Sequence, residues 1–312
     1  MKISGFTFMR NAAKLGYPLL ESIQSILPMV DEFVIALGKG DDDDSTKSLL
    51  SRVNSDKLKI IDTVWDTRAF PRRMEYAHQT DIAKSHCSGD WLFYLQCDEI
   101  IHENDTATIR NACARYLTDE KVEGFLFRYL HFWGDYAHAF SRFYGWYQKE
   151  IRIIRNINTI HSWRDAQSFR VNDSFDNKDY FTKNSRKLRV IELDARIYHY
   201  GWVRPPLVME QKTKEFNAHD TNILTGETAF PFDYGAMDRI PLFKGSHPAV
   251  MKSRIAEFAA TDFPMPISKK SRRPKRKHEK IRYKIITFIF NNLFFGVELF
   301  GFKNYHRTGF FK

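Results

Sequence analysis

Cysteine is scarce and odd in number. Cys87, Cys97 and Cys113 are the three in 312 residues, which supplies no disulfide framework and fits a reduced, intracellular compartment. His86, Cys87, Cys97 and His102 lie near one another in sequence without a C-x2-C pair, so a zinc site is not expected. The opening MKISGFTFMRNAAKLGYP has no long apolar run before Arg10, and no signal peptide is read there. No uninterrupted apolar stretch is long enough to span a bilayer. A Gly-rich, basic N-terminal loop of the kind that cradles a triphosphate is missing as well.

What is present is material for a large core: 43% of residues are hydrophobic and 15% aromatic, which excludes global disorder. The net charge is +10, from 48 Lys and Arg against 38 Asp and Glu, a balance that favours an anionic partner. The excess is local, since residues 269–284 (KKSRRPKRKHEKIRYK) hold ten Lys or Arg and a single Glu. That segment has one aromatic, Tyr283, and no nucleic-acid recognition motif, so nucleic acid is not an expected partner.

Along the first hundred residues strands and helices alternate. ISGFTFM (3–9), EFVIAL (32–37), KLKIIDTVW (57–65) and 91–97 read as strands, and 18–30, 47–53 and 73–87 as helices. This is the pattern of an α/β fold with a mostly parallel central sheet flanked by helices. GKGDDDDST (38–46) reads as a solvated turn and helix cap rather than a cation site. GFLFRYLHFWG (124–134), EIRIIRN (150–156) and KLRVIELDARIYHYGW (187–202) read as further strands. After Pro205 and Pro206 a helix restarts over 206–218.

The informative stretch is GDWLFYLQCDEIIHEND (89–105). Trp91 to Leu95 show no polar alternation, as in a strand buried on both faces. Asp98 and Glu99 follow it directly. Ligands of open α/β sheets bind beyond the carboxyl ends of the strands, which is where these acids fall. Arg10 and Asn11 end the first strand, and Asp62 and Trp65 lie near the end of the third, so all four are expected on the same rim. Trp65 would suit stacking on a nucleotide base and Asp62 hydrogen bonding to one.

Over roughly residues 1–202 the order of these motifs resembles the bacterial family-two glycosyltransferases of the GT-A fold: the strand ending in Arg10-Asn11, the LPMVDEFVIALGKGDDDDST block, the helix with Gln79, and GDWLFYLQCDE. The resemblance implies inverting transfer of a sugar from a nucleotide-diphosphate donor to a glycan or lipid-linked glycan acceptor. In the family's Asp-x-Asp-Glu run this chain has Gln96-Cys97-Asp98-Glu99, so the first acid is replaced. Asp98 and His199 of YHYGW are then implied as ligands of Mg²⁺ or Mn²⁺, Gln96 as a contact to ribose or a metal-bound water, and Arg204 as a diphosphate contact. Asp165 of SWRDAQSFR is implied as the general base.

Three regions are expected: a catalytic domain over 1–215, an extension packing on it over 216–268, and a basic linker with an aromatic-rich helical tail over 269–312. IITFIFNNLFFGVELFGF (285–302) would make one helix of roughly 27 Å. Behind ten cationic residues it reads either as a contact to an anionic membrane surface, giving a cytoplasmic protein peripheral to the membrane, or as a helix packed on the catalytic domain with its charges solvated. Cutting after Pro266 is expected to leave a folded donor-binding domain. Two other readings stand beside this one: a catalytically silent glycan-binding or scaffold protein, and a sugar-phosphate nucleotidyltransferase.

Overall fold

The computed structural model describes residues 1–219, 232–261, 274–293 and 303–312. Its first part follows the alternation of the sequence: β1 (Ile3–Met9), α1 (Leu19–Ile26), β2 (Glu32–Gly38), α2 (Thr46–Leu50), β3 (Leu58–Thr63), α3 (Met74–Ser85) and β4 (Trp91–Tyr94). A turn then leads into β5 (Glu99–Ile101) and α4 (Thr106–Arg115). The second part is mainly strand: β6 (Gly124–Trp133), β7 (Ala139–Phe140), β8 (Lys149–Arg155), β9 (Ile160–Trp163), β10 (Ser168–Val171) and β11 (Arg186–Trp202). Helices α5 (Pro206–Ala218), α6 (Lys252–Ala260) and α7 (Ile281–Leu293) precede a last strand, β12 (Tyr305–Phe311).

One sheet runs β3-β2-β1-β4-β8-β6-β11-β10-β9, with β12 and β5 on β11 and β7 on β6. Strands β3, β2, β1 and β4 are parallel, as the helix between each successive pair requires. β8 is antiparallel to both β4 and β6, while β6 and β11 are parallel. Apolar side chains fill both faces. Ile3, Phe33, Ile35, Trp91 and Phe93 pack with α1 and α4, and Phe6, Val34, Leu92 and Tyr94 pack with Ala83 of α3 and Phe169 and Val171 of β10. This is the α/β class expected from the chain, with carboxyl-terminal ends of its first strands opening on one rim.

The C-terminal part differs from its expectation. Within 285–302, residues 294–302 lie outside the described residues, and the helix that is described begins earlier, at Ile281. The tail then returns as a strand: β12 pairs in parallel with β11, Leu188 opposite Tyr305, and Arg307 Nη1 lies 2.6 Å from Glu192 Oε2. The cause is a free edge on β11 and an extended Tyr305–Phe311 segment able to cover it. A purely helical tail is therefore corrected. The expected boundary at 215 falls inside α5, and Phe232, Tyr234, Met237 and Ile240 pack with Trp133 of β6 and Phe140 of β7.

Candidate active site

The ends of β1, β4 and β11, the β9–β10 turn and one side of α5 enclose a cavity of about 460 Å³, a volume typical of small-molecule sites. Arg10, Trp65, Gln96, Asp98, Asp165 and His199 all line it. The strand pattern explains the first half of this convergence, because parallel strands deliver their carboxyl ends to one side. Hairpin β9–β10 delivers the second half. Its turn carries Arg164 and Ala166 at φ +59° and +62°, an uncommon conformation for such residues, with Asp165 between them.

At the end of β4 the chain turns, and the Glu99 amide donates to the Gln96 carbonyl at 2.9 Å. The turn sends the two acids in different directions. Glu99 is fully buried and receives Arg152 Nε and Nη2 at 2.7 and 2.8 Å and the Tyr129 hydroxyl at 2.7 Å. Asp98 lines the cavity, where Lys212 Nζ donates to its Oδ2 at 3.2 Å. Burial opposes ionisation of Asp98, but the Lys212 ammonium, with the Arg204 guanidinium behind it, outweighs it and holds its carboxyl below the ordinary carboxylate range. Burial and Arg204 lower Lys212 to about 8 against the opposing pull of Asp98. Both groups carry their charges at neutral pH.

His199 takes its state from a chain of hydrogen bonds. Burial lowers both His199 and, more strongly, His131, so both imidazoles are neutral. His131 Nε2 lies 2.8 Å from the Tyr147 carbonyl, which can only accept. Its Nδ1 therefore bears a lone pair, and His199 Nδ1, 2.9 Å away, must donate to it. His199 Nε2 is left as a lone pair, 3.8 Å from Asp98 Oδ2. Gly201 backs this pair. A Cβ there would collide with His199 Nε2 and come within 2.7 Å of Asp98 Oδ2.

An acid and an imidazole lone pair side by side are donors for a hard cation, but as arranged they do not fit one. Adjacent ligands of an octahedral ion at about 2.1 Å lie about 3 Å apart, not 3.8 Å. The Lys212 ammonium is already on the carboxylate. Gln96 is turned away, its Nε2 at 3.2 Å from the Tyr94 hydroxyl and 3.3 Å from the Ala166 carbonyl. Among the described residues no three His, Cys, Asp or Glu side chains cluster as a metal site.

The remaining expected residues divide. Trp65 stands in an aromatic wall with Phe8, Tyr76 and His219, ring centroids 5.4 to 5.9 Å away, and its indole lies so close to Gly38 that a Cβ there would collide with it. Arg10 is fixed at the rim by Glu215 at 2.7 Å and Asp41 at 3.0 Å. Asn11 is buried beneath it, bonded to Glu215 and to the Asp41 amide, and does not line the cavity. Asp62 is corrected: it points out to Lys47 of α2 at 2.8 Å, because β3 is the sheet's edge strand and its residue 62 faces solvent. Arg204 is corrected too. It is buried, with Nε on the Leu15 carbonyl and Nη1 on that of Gly201, and its guanidinium lies over Tyr17. It supports the cavity from behind.

Lys212, Tyr17, Tyr147 and Arg152 also line the cavity and were not anticipated. For Lys212 a signal existed. Met209, Lys212, Thr213 and Phe216 recur at the i, i+3, i+4, i+7 spacing of one helix face, and all four line the cavity. A lysine on an otherwise inward-facing stripe is the clue. The positions of Tyr17, Tyr147 and Arg152 depend on tertiary approach and left no local pattern.

These features define an α/β protein with a cavity at the strand ends, walled by aromatics and carrying a paired acid and lysine. No family model matches the chain, and no curated protein does. Among solved structures it is similar to S. aureus TarS, at 15% identity and TM-score 0.39 over 70% of this chain and 39% of that one. It is also similar to S. aureus TarS 1-349 in complex with UDP-GlcNAc, at 16% identity and TM-score 0.37, covering 70% and 66%. A third is glucosyl-3-phosphoglycerate synthase from Mycobacterium tuberculosis with Mn²⁺, UDP and glucosyl-3-phosphoglycerate, at 17% and 0.28, covering 43% and 45%. The chain spans about two fifths of the length of the first and just under two thirds of the second. At these scores the overlap is loose, and nothing of the neighbours' chemistry transfers with it.

Proposed function

We propose that the chain transfers a sugar from a nucleotide-diphosphate donor to a hydroxyl of a glycan or lipid-linked glycan, with inversion. The observation that carries this reading is the gathering, on one cavity, of an aromatic wall for a base (Trp65, Tyr76), cationic groups for a diphosphate (Arg10, Lys212) and a separate acid on another loop, Asp165. In the proposed step the acceptor oxygen attacks the anomeric carbon while Asp165 takes its proton. The bond from that carbon to the diphosphate breaks on the opposite side, and its electron pair leaves with the phosphate oxygen. Fixed positive charge at the leaving group is the main electrostatic need of such a step. No part of this sequence is assigned to Mg²⁺ or Mn²⁺, since Asp98 and His199 as placed do not fit either ion.

A glycan-binding protein without turnover is the second reading, favoured by Gln96 in place of an acid. Calorimetric titration of the purified protein with UDP-, GDP- and ADP-sugars, followed by product analysis with hydroxyl acceptors, separates the two. Binding with no release of nucleoside diphosphate supports the second, and no binding at all rejects the first.

A membrane-surface role is proposed for α7. Ile281, Ile285, Phe288 and Leu293 are exposed, and Lys277, Lys280, Arg282 and Lys284 adjoin them. Among the described residues no helix is long and apolar enough to cross a membrane. This placement would hold the protein at the inner face of the cell membrane, close to a lipid-linked acceptor.

A further inference from the structure

We infer that Lys212 is the built-in cation of this site, occupying with its own ammonium the position on Asp98 that a divalent ion would need and meeting the donor's diphosphate from there. The inference rests on the nucleotide-sugar reading above. Its ground is the geometry around one nitrogen. Lys212 Nζ donates to Asp98 Oδ2 at 3.2 Å and to the Gly201 carbonyl at 2.8 Å, which uses two of the three N–H bonds of an ammonium. The third is left for an incoming phosphate oxygen in a cavity that Lys212 itself lines.

The surroundings hold the ammonium there. It lies 4.7 Å from the centre of the Tyr17 ring and 5.8 Å from that of Trp202, within reach of cation–π attraction. Its stem rises from the stripe of α5 that faces the cavity, alongside Met209, Thr213 and Phe216. The charge count agrees. With Gln96 neutral and Glu99 bound to Arg152, Asp98 is the one carboxylate on this turn left to balance a cation, and Lys212 balances it. A divalent ion in the same place would add two positive charges beside an ammonium and the Arg204 guanidinium, with a single carboxylate to offset them.

In the transfer step Lys212 neither gains nor loses a proton. The electron pair of the breaking carbon–oxygen bond settles on the terminal phosphate oxygen, the third N–H of Lys212 donates to that diphosphate, and the acceptor proton goes to Asp165. Lys212 is thus a charge-stabilising group, and the chain's donor binding needs no divalent ion.

The test uses the full chain, with Lys212→Met to keep the stem and Lys212→Arg to keep the charge, each checked for folding by circular dichroism. Two quantities are read: Mn²⁺ binding to the nucleotide-free protein by electron paramagnetic resonance, and binding of UDP, GDP and ADP by calorimetry in EDTA and in Mn²⁺. The wild type should bind its preferred nucleotide equally well in both buffers and bind Mn²⁺ weakly. Lys212→Met should bind that nucleotide at least tenfold more weakly in EDTA, about 1.4 kcal/mol. It should recover in Mn²⁺, because without the ammonium the Asp98 carboxylate is free to close the 3.8 Å gap to His199 and hold the ion together with the diphosphate oxygens, and Lys212→Arg should bind in EDTA. A wild type that loses nucleotide binding in EDTA, or binds Mn²⁺ as tightly as Lys212→Met does, overturns the inference. If no nucleotide binds the wild type in either buffer, the nucleotide-sugar reading falls and the diphosphate role with it. Mn²⁺ bound by Lys212→Met alone would still establish Lys212 as the cation of Asp98.

Discussion

Replacing Glu150 by Gln should change the pH dependence of stability in a calculable way. Glu150 lies on β8 and is buried. Its Oε1 accepts from Gln167 Nε2 at 2.9 Å, and its Oε2 has no hydrogen-bond partner among the described residues. Burial raises its carboxyl from 4.5 to about 7, against the pull of Arg152, of the nearby Ser168 hydroxyl and of the bond from Gln167. A raised acid favours the fold while protonated, so its contribution is complete below about 4.5 and is lost as the pH rises through about 7. The span between those values corresponds to about 3 kcal/mol at 1.36 kcal/mol for each decade of proton affinity. Urea unfolding of wild type and Glu150→Gln across this range, taken as a difference, removes what the other titrating groups contribute. Wild type should lose about 3 kcal/mol relative to the variant on going from acid to mildly alkaline buffer. A difference that stays flat, or grows in the wild type's favour with pH, refutes the assignment of a strained buried acid.

Asp165→Asn should lower turnover by about two to four orders of magnitude, with the donor dissociation constant little changed; undiminished turnover in steady-state assays would remove Asp165 as the base. Arg152→Met leaves Glu99 buried without its bidentate partner and should cost about 3–5 kcal/mol in denaturant unfolding, part of which Arg152→Met with Glu99→Gln should restore. Equal instability of the single and double variants would contradict this account. Ending the chain after Pro266 removes β12 and exposes the β11 edge, so this form should melt at a lower temperature than the full chain in calorimetry; an unchanged melting temperature would contradict the role of β12 in covering that edge. Aspartate at both Ile285 and Phe288 should leave melting unchanged while abolishing sedimentation with anionic liposomes at low salt. Retained sedimentation would dismiss the membrane role of α7.

The parallel half of the sheet was legible because each of its elements announces itself locally: Trp91 to Leu95 as a strand buried on both faces, Leu19 to Leu27 as a helix with one apolar side. Asp98 and Trp65 were legible for the same reason, since the end of a parallel strand is a defined place. Asp62 was not, because strand ends specify a rim but not which way an edge-strand side chain turns. Arg204 looked like a ligand contact because an arginine beside a turn has no local mark of burial. Its partners, the Leu15 and Gly201 carbonyls, are main-chain groups, one of them 189 residues away. β12 was hidden by composition. Its aromatics follow directly on those of the preceding apolar run, and only an open edge 118 residues earlier, at Val190, gives them a strand to join.

The hydrogen-bond relay from Tyr147 to His131 to His199 begins at a peptide carbonyl, which every amino acid possesses. For this purpose position 147 is chemically anonymous, whereas position 131 must be able both to give a hydrogen and to receive one. Phenylalanine at 131 would preserve the aromatic volume yet release His199 to adopt either tautomer, turning an N–H toward the Asp98 carboxylate in place of a lone pair. Information about the chemical state of the site is therefore stored at a residue that does not line it, and is written there by the course of the backbone.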